Sequence, residues 1–323
     1  MKRVVIANFY PVWPPMGRGQ RRIFFLAREL AKTFDVELMV LDRMGVNKTT
    51  KFTRSFRETR VTADTRFRAF EHALEKRVKF SADIAYAMHW DECTIYNDLL
   101  AERAETADVM ITAHPYSMYA LQKARQKRPI PIVFDSQNVE LRQKAPLFGE
   151  NRDLVDALRQ IESSALVESD RVIACSVDDA AAFGEDYGFD VSKIAIIENG
   201  VDAWGVPSVP EETRNQILDG LGLRDKLVAV FGGSMHFPNL RAVDRILDFA
   251  RAAPDVVFLI LGGVCNFDKL KSAVPANVIP LGEVDESVKW LAFAISDIGL
   301  NPMDLKPAPT SRCSSIAPPV LPR

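Results

Sequence analysis

Val4-Val5-Ile6-Ala7, ending in Asn8, is followed by the Pro/Gly-rich stretch Pro11 to Gly19, by Ile23-Phe24-Phe25-Leu26-Ala27-x-x-Leu30-Ala31, and by Val36-Glu37-Leu38-Met39-Val40-Leu41. A short β-branched run, a turn-rich loop, apolar residues at helical spacing and a second apolar run read as strand, loop, helix, strand. Such a β-α-β unit has parallel strands and a right-handed crossover. The alternation continues through Val109-Met110-Ile111-Thr112, Ile132-Val133-Phe134, Arg171-Val172-Ile173-Ala174-Cys175 and Ile194-Ala195-Ile196-Ile197. An open α/β sheet is therefore expected for the first half. Residues 45–105 are charged and carry few strand signals, so helices over the sheet and acceptor-side loops are expected there.

Asn199-Gly200-Val201-Asp202 and the Pro207-to-Pro210 segment mark a linker, and a second series begins with a charged helix from Glu211 to about Leu221. Leu227 to Phe231 runs into Gly232-Gly233-Ser234. A helix from about Arg241 to Ala252 precedes the strands Val256 to Leu261 and Val278 to Leu281. A helix near Glu286 to Ala294 and a strand at Asp297 to Leu300 follow. The expected domains are 1–203 and 204–304, two Rossmann-like parallel sheets facing a cleft, with 305–323 a proline-rich tail. In open parallel sheets ligands sit at the carboxyl ends of the strands, so that cleft is the expected site.

The 323 residues include 47% apolar, 26% charged and 9% aromatic side chains, which is ample for two cores and excludes wholesale disorder. Forty-one basic against forty-three acidic residues give a formal charge of -2, which argues against tight sequence-independent nucleic-acid binding. Cys93, Cys175, Cys265 and Cys313 are too scattered for a zinc site or a disulfide framework. The run Val4 to Ala7 is too brief for a signal-peptide core, and no later stretch approaches bilayer length. A reduced, cytoplasmic compartment is the expectation, with contact at the inner face of a membrane left open.

Gly17-Arg18-Gly19 precedes a helix, where glycine lets backbone amides approach an anion and Arg18, Arg21 and Arg22 add cationic reach; a plain helix entry explains the pattern equally well. Gly232-Gly233-Ser234 offers amides to a phosphate in the same way, or is a tight turn. With Gly262, and with Gly282-Glu283-Val284, it places glycine loops on one rim, as a nucleotide-sized ligand requires. His114 directly follows a strand and is placed to orient or polarise a substrate, although a lone histidine is more often structural. Asp135-Ser136-Gln137-Asn138-x-Glu140 also follows a strand; N-capping of the next helix is its plainer explanation. His72, His89 and His236 carry less signal.

Taken together, these residues resemble the family 4 retaining glycosyltransferases of the glycosyltransferase-B fold, over nearly the whole chain to about Met303. The matching stretches are Pro14-Pro15-Met16-Gly17-x-Gly19, Asp170 to Ser176 before Asp186-Tyr187-Gly188, and Lys193-Ile194-x-Ile196-Ile197-x-Asn199-Gly200-Val201-Asp202. Phe231-x-Gly233-Ser234-Met235 with Pro238-Asn239, Gly282-Glu283-Val284, and Ala294 to Leu300 with Pro302 complete the match. The resemblance implies a metal-independent transferase with no cofactor, moving sugar from a nucleotide-diphosphate donor to a glycan, lipid-linked or small-molecule acceptor in polysaccharide or glycoconjugate biosynthesis. It implies that His114 lies beside the donor sugar, Gly17 and Gly19 near the diphosphate, Gly233 and Ser234 in the phosphate loop, and Glu283 with Val284 beside the base. Gly232 and Gly262 join the donor side; Arg18, Arg21, Gln137, Asn138 and Glu140 belong to the acceptor side. Two departures stand out: Met235 to Asn239 lack the Arg and Lys that many relatives carry there, and Arg18 and Gln20 partly replace the first glycine cluster.

After Pro302 the family pattern calls for a glycine-rich loop and a helix bearing a ribose-binding glutamate. The chain instead runs from Lys306 to Arg323 with five prolines, which forbid a continuous helix. Pairing the third base of each codon with the first two of the next, from Pro307 to Pro322, permits Gly-Thr-Asn-Leu-Lys-Met-Leu-Glu-Tyr-Cys-Ala-Ala-Gly-Val-Pro, as the family would have here. A shifted reading frame, an incomplete second domain and weak or absent transfer activity are therefore expected, with a natural proline-rich tail as the alternative. A non-catalytic nucleotide-sugar or glycan-binding remnant is the competing function. An epimerase or dehydrogenase would need a nicotinamide fingerprint and a Tyr-x-x-x-Lys pair, neither of which is seen.

Overall fold

The computed structural model describes residues 1–79, 81–200, 208–235, 237–272 and 274–302. These fall into two compact units, one within Met1–Gly200 and one within Val201–Lys306. The tail 303–323, and with it the frameshift expectation, lies outside the described residues, as do the linker residues 201–207 and His236.

The first unit runs β1 (Arg3–Asn8), α1 (Arg18–Leu30), β2 (Asp35–Asp42), β3 (Lys48–Thr53), β4 (Phe56–Thr62), α2 (Thr65–Arg77), α3 (Ala82–Met88), α4 (Thr94–Ala104), β5 (Val109–Thr112), α5 (Met118–Arg125), β6 (Ile132–Asp135), α6 (Glu140–Phe148), α7 (Arg152–Glu168), β7 (Arg171–Ala174), α8 (Val177–Tyr187) and β8 (Ile194–Ile196). Its sheet has the order β3-β4-β2-β1-β5-β6-β7-β8, parallel except where β3 pairs antiparallel with β4. The apolar runs are continuous rather than alternating because both sheet faces are covered. Val4, Ile6, Val36, Leu38 and Val40 pack with Ile23, Phe24 and Ala27 of α1. Val5, Ala7, Met39 and Leu41 point the other way, into a larger core with residues of the helices from α2 to α8.

Lys48–Thr53 and Phe56–Thr62 correct the expectation for residues 45–105, which is helical only from Thr65 onward. Their charged residues hid the strands; those of β4 are paired across the sheet, Arg57 with Asp35 and Arg60 with Asp42 of β2. Glu37 of β2 is only 2% exposed and pairs with Arg3 at 2.6 Å, Arg57 at 3.2 Å and Arg103 at 3.3 Å, while Thr59 donates to it at 2.8 Å. Burial alone would raise the Glu37 carboxyl, but these partners together hold it below the usual 4.5. Because the folded value lies below the unfolded one, the contribution is present above about pH 4.5 and is lost as pH falls through the folded value. Glu37→Gln is expected to cost about 2 kcal/mol at pH 7 and to flatten the acid limb of a urea-unfolding series; an unchanged acid limb would contradict this.

The second unit contains α9 (Glu211–Gly220), β9 (Leu227–Gly232), α10 (Phe237–Ala252), β10 (Val256–Leu261), β11 (Val278–Gly282), α11 (Glu286–Ile295) and β12 (Ile298–Gly299). Its described strands form a parallel sheet in the order β11-β10-β9-β12. Phe231, Phe258 and Ile260 pack with Val243, Ile246 and Leu247 of α10; Val228, Val230, Leu259 and Leu261 pack with Leu218 of α9 and with Ala292 and Ile295 of α11. α10 begins four residues earlier than the apolar spacing suggests.

Candidate functional site

In the first unit β1 lies between β2 and β5, so the chain leaves β1 and β5 toward opposite sides of the sheet. Such a reversal of strand order opens a crevice at the carboxyl ends of the two strands. Phe9 and Tyr10 follow β1 and His114 follows β5, which brings residues 104 apart in sequence into contact: the Tyr10 hydroxyl lies 2.9 Å from His114 Nε2. On the other side of the ring, His114 Nδ1 lies 3.1 Å from Glu140 Oε1, and the Tyr116 hydroxyl donates to Glu140 Oε2 at 2.8 Å. With an ionised Glu140 accepting at both oxygens, Nδ1 is the donor to Oε1, and in the neutral ring Nε2 then accepts from the Tyr10 O–H. Burial and the nearby Glu140 push the Tyr10 phenol up, so it stays a protonated donor.

Glu140 was expected on the acceptor side, yet it is 2% exposed and faces His114 and Tyr116. The Asp135–Asn138 cluster does not cap α6 either. The amides of Glu140 and Leu141 donate to Glu162 of α7, at 2.6 Å and 3.0 Å, and the Tyr187 hydroxyl completes the set. Gln137 is buried and its Nε2 donates to the Ala113 carbonyl at 3.1 Å, while Asn138 is half-buried. Arg22 does not reach outward. It forks onto the buried Asp135 at 2.6 Å and 3.2 Å and donates to the Ile197 carbonyl and Asn199 Oδ1, tying the ends of β6 and β8 together.

Gly17 and Gly19 sit at the start of α1, with Gly17 the N-cap and Gly19 already in the first turn. Gln20 Oε1 accepts from the Gly17 amide at 2.8 Å, so the residue that departs from the glycine cluster supplies the cap. Arg18 is exposed and Arg21 half-buried beside it. A methyl group on Gly19 would come within 2.7 Å of both the Tyr10 hydroxyl and Gln137 Oε1. Here glycine is required by close approach rather than by backbone angle.

In the second unit the described strand order reverses at β9 and β12, and the Gly232–Ser234 loop follows β9. The Gly233 amide donates to the Leu261 carbonyl at 2.9 Å, so the expected contact of a phosphate with that amide is corrected: it is consumed in the sheet. The amides of Ser234 and Met235 have no backbone partner among the described residues. Asn239 holds the loop through the Ser234 carbonyl at 2.9 Å. Gly262 has φ +92°, and its amide donates to the Gly282 carbonyl at 2.7 Å while the Val264 amide donates to the Gly233 carbonyl at 3.0 Å. A methyl group on Gly263 would lie 2.9 Å from Glu283 Oε1. Gly233, Gly262, Gly282 and Glu283 are thus gathered on one rim, whereas Val284 packs against the α9–α11 core.

Sequence reasoning missed Tyr10, Tyr116 and Glu162. Tyr10 had a local signal, an aromatic pair directly after a strand; Glu162 had none, because its partners lie on another helix.

Two parallel-sheet units, each with its polar loops at a reversal of strand order, define a glycosyltransferase-B fold. The Anabaena protein HepE, solved in complex with UDP-glucose, superposes with a TM-score of 0.58 at 14% identity over 93% of this chain and 73% of that one. Sucrose-phosphate synthase from Thermosynechococcus elongatus gives 0.68 at 12% identity over 94% and 77%. The catalytic domain of starch synthase IV from Arabidopsis thaliana, bound to ADP and acarbose, gives 0.59 at 12% over 94% and 78%. These likenesses are of fold. The chain belongs to Glycosyltransferase Family 4, whose model matches residues 19–204, over half of its length. No curated protein matches it. No described helix is long and apolar enough to cross a membrane.

Proposed function

We propose that this protein is built for retaining, metal-independent transfer of a hexose from a nucleotide-diphosphate sugar to a glycan, lipid-linked or small-molecule acceptor in the cytoplasm. The observation that carries the donor reading is the rim on which backbone hydrogen bonds hold Gly233, Gly262 and Gly282, with the Glu283 carboxylate near Gly263, beside the amides of Ser234 and Met235, which have no backbone partner among the described residues. Preorganised amides at a strand-to-helix loop suit a diphosphate, and stabilising charge on a departing nucleotide diphosphate is what speeds such a transfer. In this reading the rim of the second unit takes the diphosphate and base. HepE and sucrose-phosphate synthase support it as neighbours of the same fold, the former by its bound UDP-glucose.

Calorimetry with UDP-glucose and ADP-glucose in the presence of EDTA, followed by tracer hydrolysis and transfer, tests this. Binding of one nucleotide sugar is expected, weakened about tenfold or more by Ser234→Pro, which removes one of the two amides. Absence of binding by any nucleotide sugar would sink the reading, and binding without turnover would select the remnant alternative.

A further inference from the structure

At the carboxyl ends of the parallel strands β2 and β4, within the first unit, lies an open cavity of about 660 Å³. Small-molecule sites run to about 300–1,000 Å³, so it is of that size. Arg43 and Met44, directly after β2, form one wall, and α2 supplies another. Arg43 is committed: its guanidinium pairs with Glu71 and donates to the carbonyls of Phe9 at 2.8 Å and Ala82 at 3.3 Å, which braces the wall against the loop after β1 and the start of α3. Glu75 is committed as well, accepting from the amides of Ser81 and Ala82 at 2.8 Å and 2.9 Å. Thr65, Arg68 and His72 are not. Three and four residues apart, they share one face of α2. All three line the cavity and are exposed, and none of their side chains has a hydrogen bond or ion pair among the described residues. The other arginines of the helix are spent, Arg66 on Glu92 at 3.0 Å and Arg77 on Asp153 at 2.7 Å.

We propose that this cavity binds a phosphate monoester borne by the acceptor, with the Arg68 guanidinium forking onto the phosphate and the Thr65 hydroxyl and His72 imidazole donating beside it. The inference deepens the transfer reading and rests on it only for calling the ligand an acceptor. The phosphate chemistry comes from the cavity itself. Its two lining carboxylates, Glu71 and Glu75, are occupied by Arg43 and by backbone amides, so the polar groups left for a ligand are donors, one of them a permanent cation. A planar guanidinium matches two oxygens of a phosphate at once, which a neutral glycan hydroxyl does not offer. Met44, 86% exposed, and Ala69 add apolar lining for the sugar ring or lipid stem that carries the phosphate. Every lining residue belongs to the first unit, and none is among Arg18, Arg21, Gln137, Asn138 and Glu140, the acceptor-side residues expected from the sequence.

The full chain, without nucleotide sugar, is titrated by calorimetry with glucose 6-phosphate and with glucose, and is cosedimented with phosphatidylcholine vesicles with and without phosphatidic acid. Binding is expected to the phosphate-bearing probe and not to its neutral counterpart; glucose 6-phosphate binding would mark a free sugar phosphate as the ligand, and binding to phosphatidic acid vesicles alone a lipid-borne one. Affinity for the phosphate is expected to fall about tenfold or more in Arg68→Ala and about threefold in His72→Ala. Both side chains are exposed and unpartnered, so the variants keep the fold, and an unchanged melting temperature checks this. Lys76→Ala removes an exposed cation of the same helix that does not line the cavity, and is expected to change affinity less than about twofold. UDP-glucose affinity is expected to be the same in Arg68→Ala as in wild type. Binding of neither phosphate, equal binding of glucose, unweakened binding in Arg68→Ala, or an equal loss in Lys76→Ala would overturn the proposal. So would loss of UDP-glucose affinity in Arg68→Ala, which would give the cavity to the donor. Phosphate binding as expected with no affinity for any nucleotide sugar would instead sink the transfer reading and leave the chemistry of the cavity standing.

Discussion

Glu162→Ala is expected to destabilise the first unit by about 3–5 kcal/mol, because it strips the amides of Glu140 and Leu141 and the Tyr187 hydroxyl of their shared acceptor. These donors sit at a buried helix start, where each orphaned group costs about 1–3 kcal/mol, and the lost methylenes add a cavity. The pH dependence separates the charge of Glu162 from its hydrogen bonds. Burial, with Glu140 nearby, pushes its carboxyl up to about 8 although Tyr187 and the two amides pull it back. A folded value above the unfolded 4.5 means that its contribution is full below about pH 4.5 and is lost as pH rises through about 8. At about 1.4 kcal/mol per unit, wild type should lose about 3–5 kcal/mol across that window from this residue. Glu162→Gln, which keeps an acceptor but cannot ionise, should lose none of it. Urea unfolding followed by circular dichroism from pH 5 to pH 9 measures the difference; parallel wild-type and Glu162→Gln curves would refute it.

The other large effect is expected at Gly262. Its φ of +92° is a left-handed conformation that costs a side-chain-bearing residue about 1–2 kcal/mol by itself. Beyond that, a Cβ there would lie 2.5 Å from the Gly233 carbonyl oxygen, a backbone atom held by its bond to the Val264 amide. The loop after β9 would have to move, so Gly262→Ala should cost about 3–5 kcal/mol in all and reduce nucleotide-sugar affinity at least tenfold. Gly282→Ala is the internal control. Gly282 has φ +78° but nothing within 4 Å of its would-be Cβ, so only the backbone cost of about 1–2 kcal/mol should appear. Equal losses in the two variants would show that the loop yields freely and that the rim is not locked.

Much of this architecture was legible in the chain because its signals are local. Val4 to Ala7, Val36 to Leu41 and Val256 to Leu261 are apolar enough to bury both faces of a strand, and the glycines after Phe231, Leu261 and Leu281 punctuate strand ends. Strands β3 and β4 escaped detection because they are polar and charged; Arg57 of β4 is paired with Asp35 and Glu37 of β2, and a pairing partner leaves no local mark. Arg22 was misjudged for the same reason. Its residue type suggests an outward cation, and only the distant Asp135 makes it a buried tie.

The order of residues by itself determined that two α/β units would form and which loops would carry glycine, since periodicity and turn chemistry act over a few neighbours. Tertiary structure alone decided that β1 and β5 lie side by side, and hence that Tyr10 meets His114 across 104 residues, with Glu140 behind the ring and Glu162 beneath its helix. Strand order follows from how the faces of many helices share one sheet, a global packing problem that no single segment encodes.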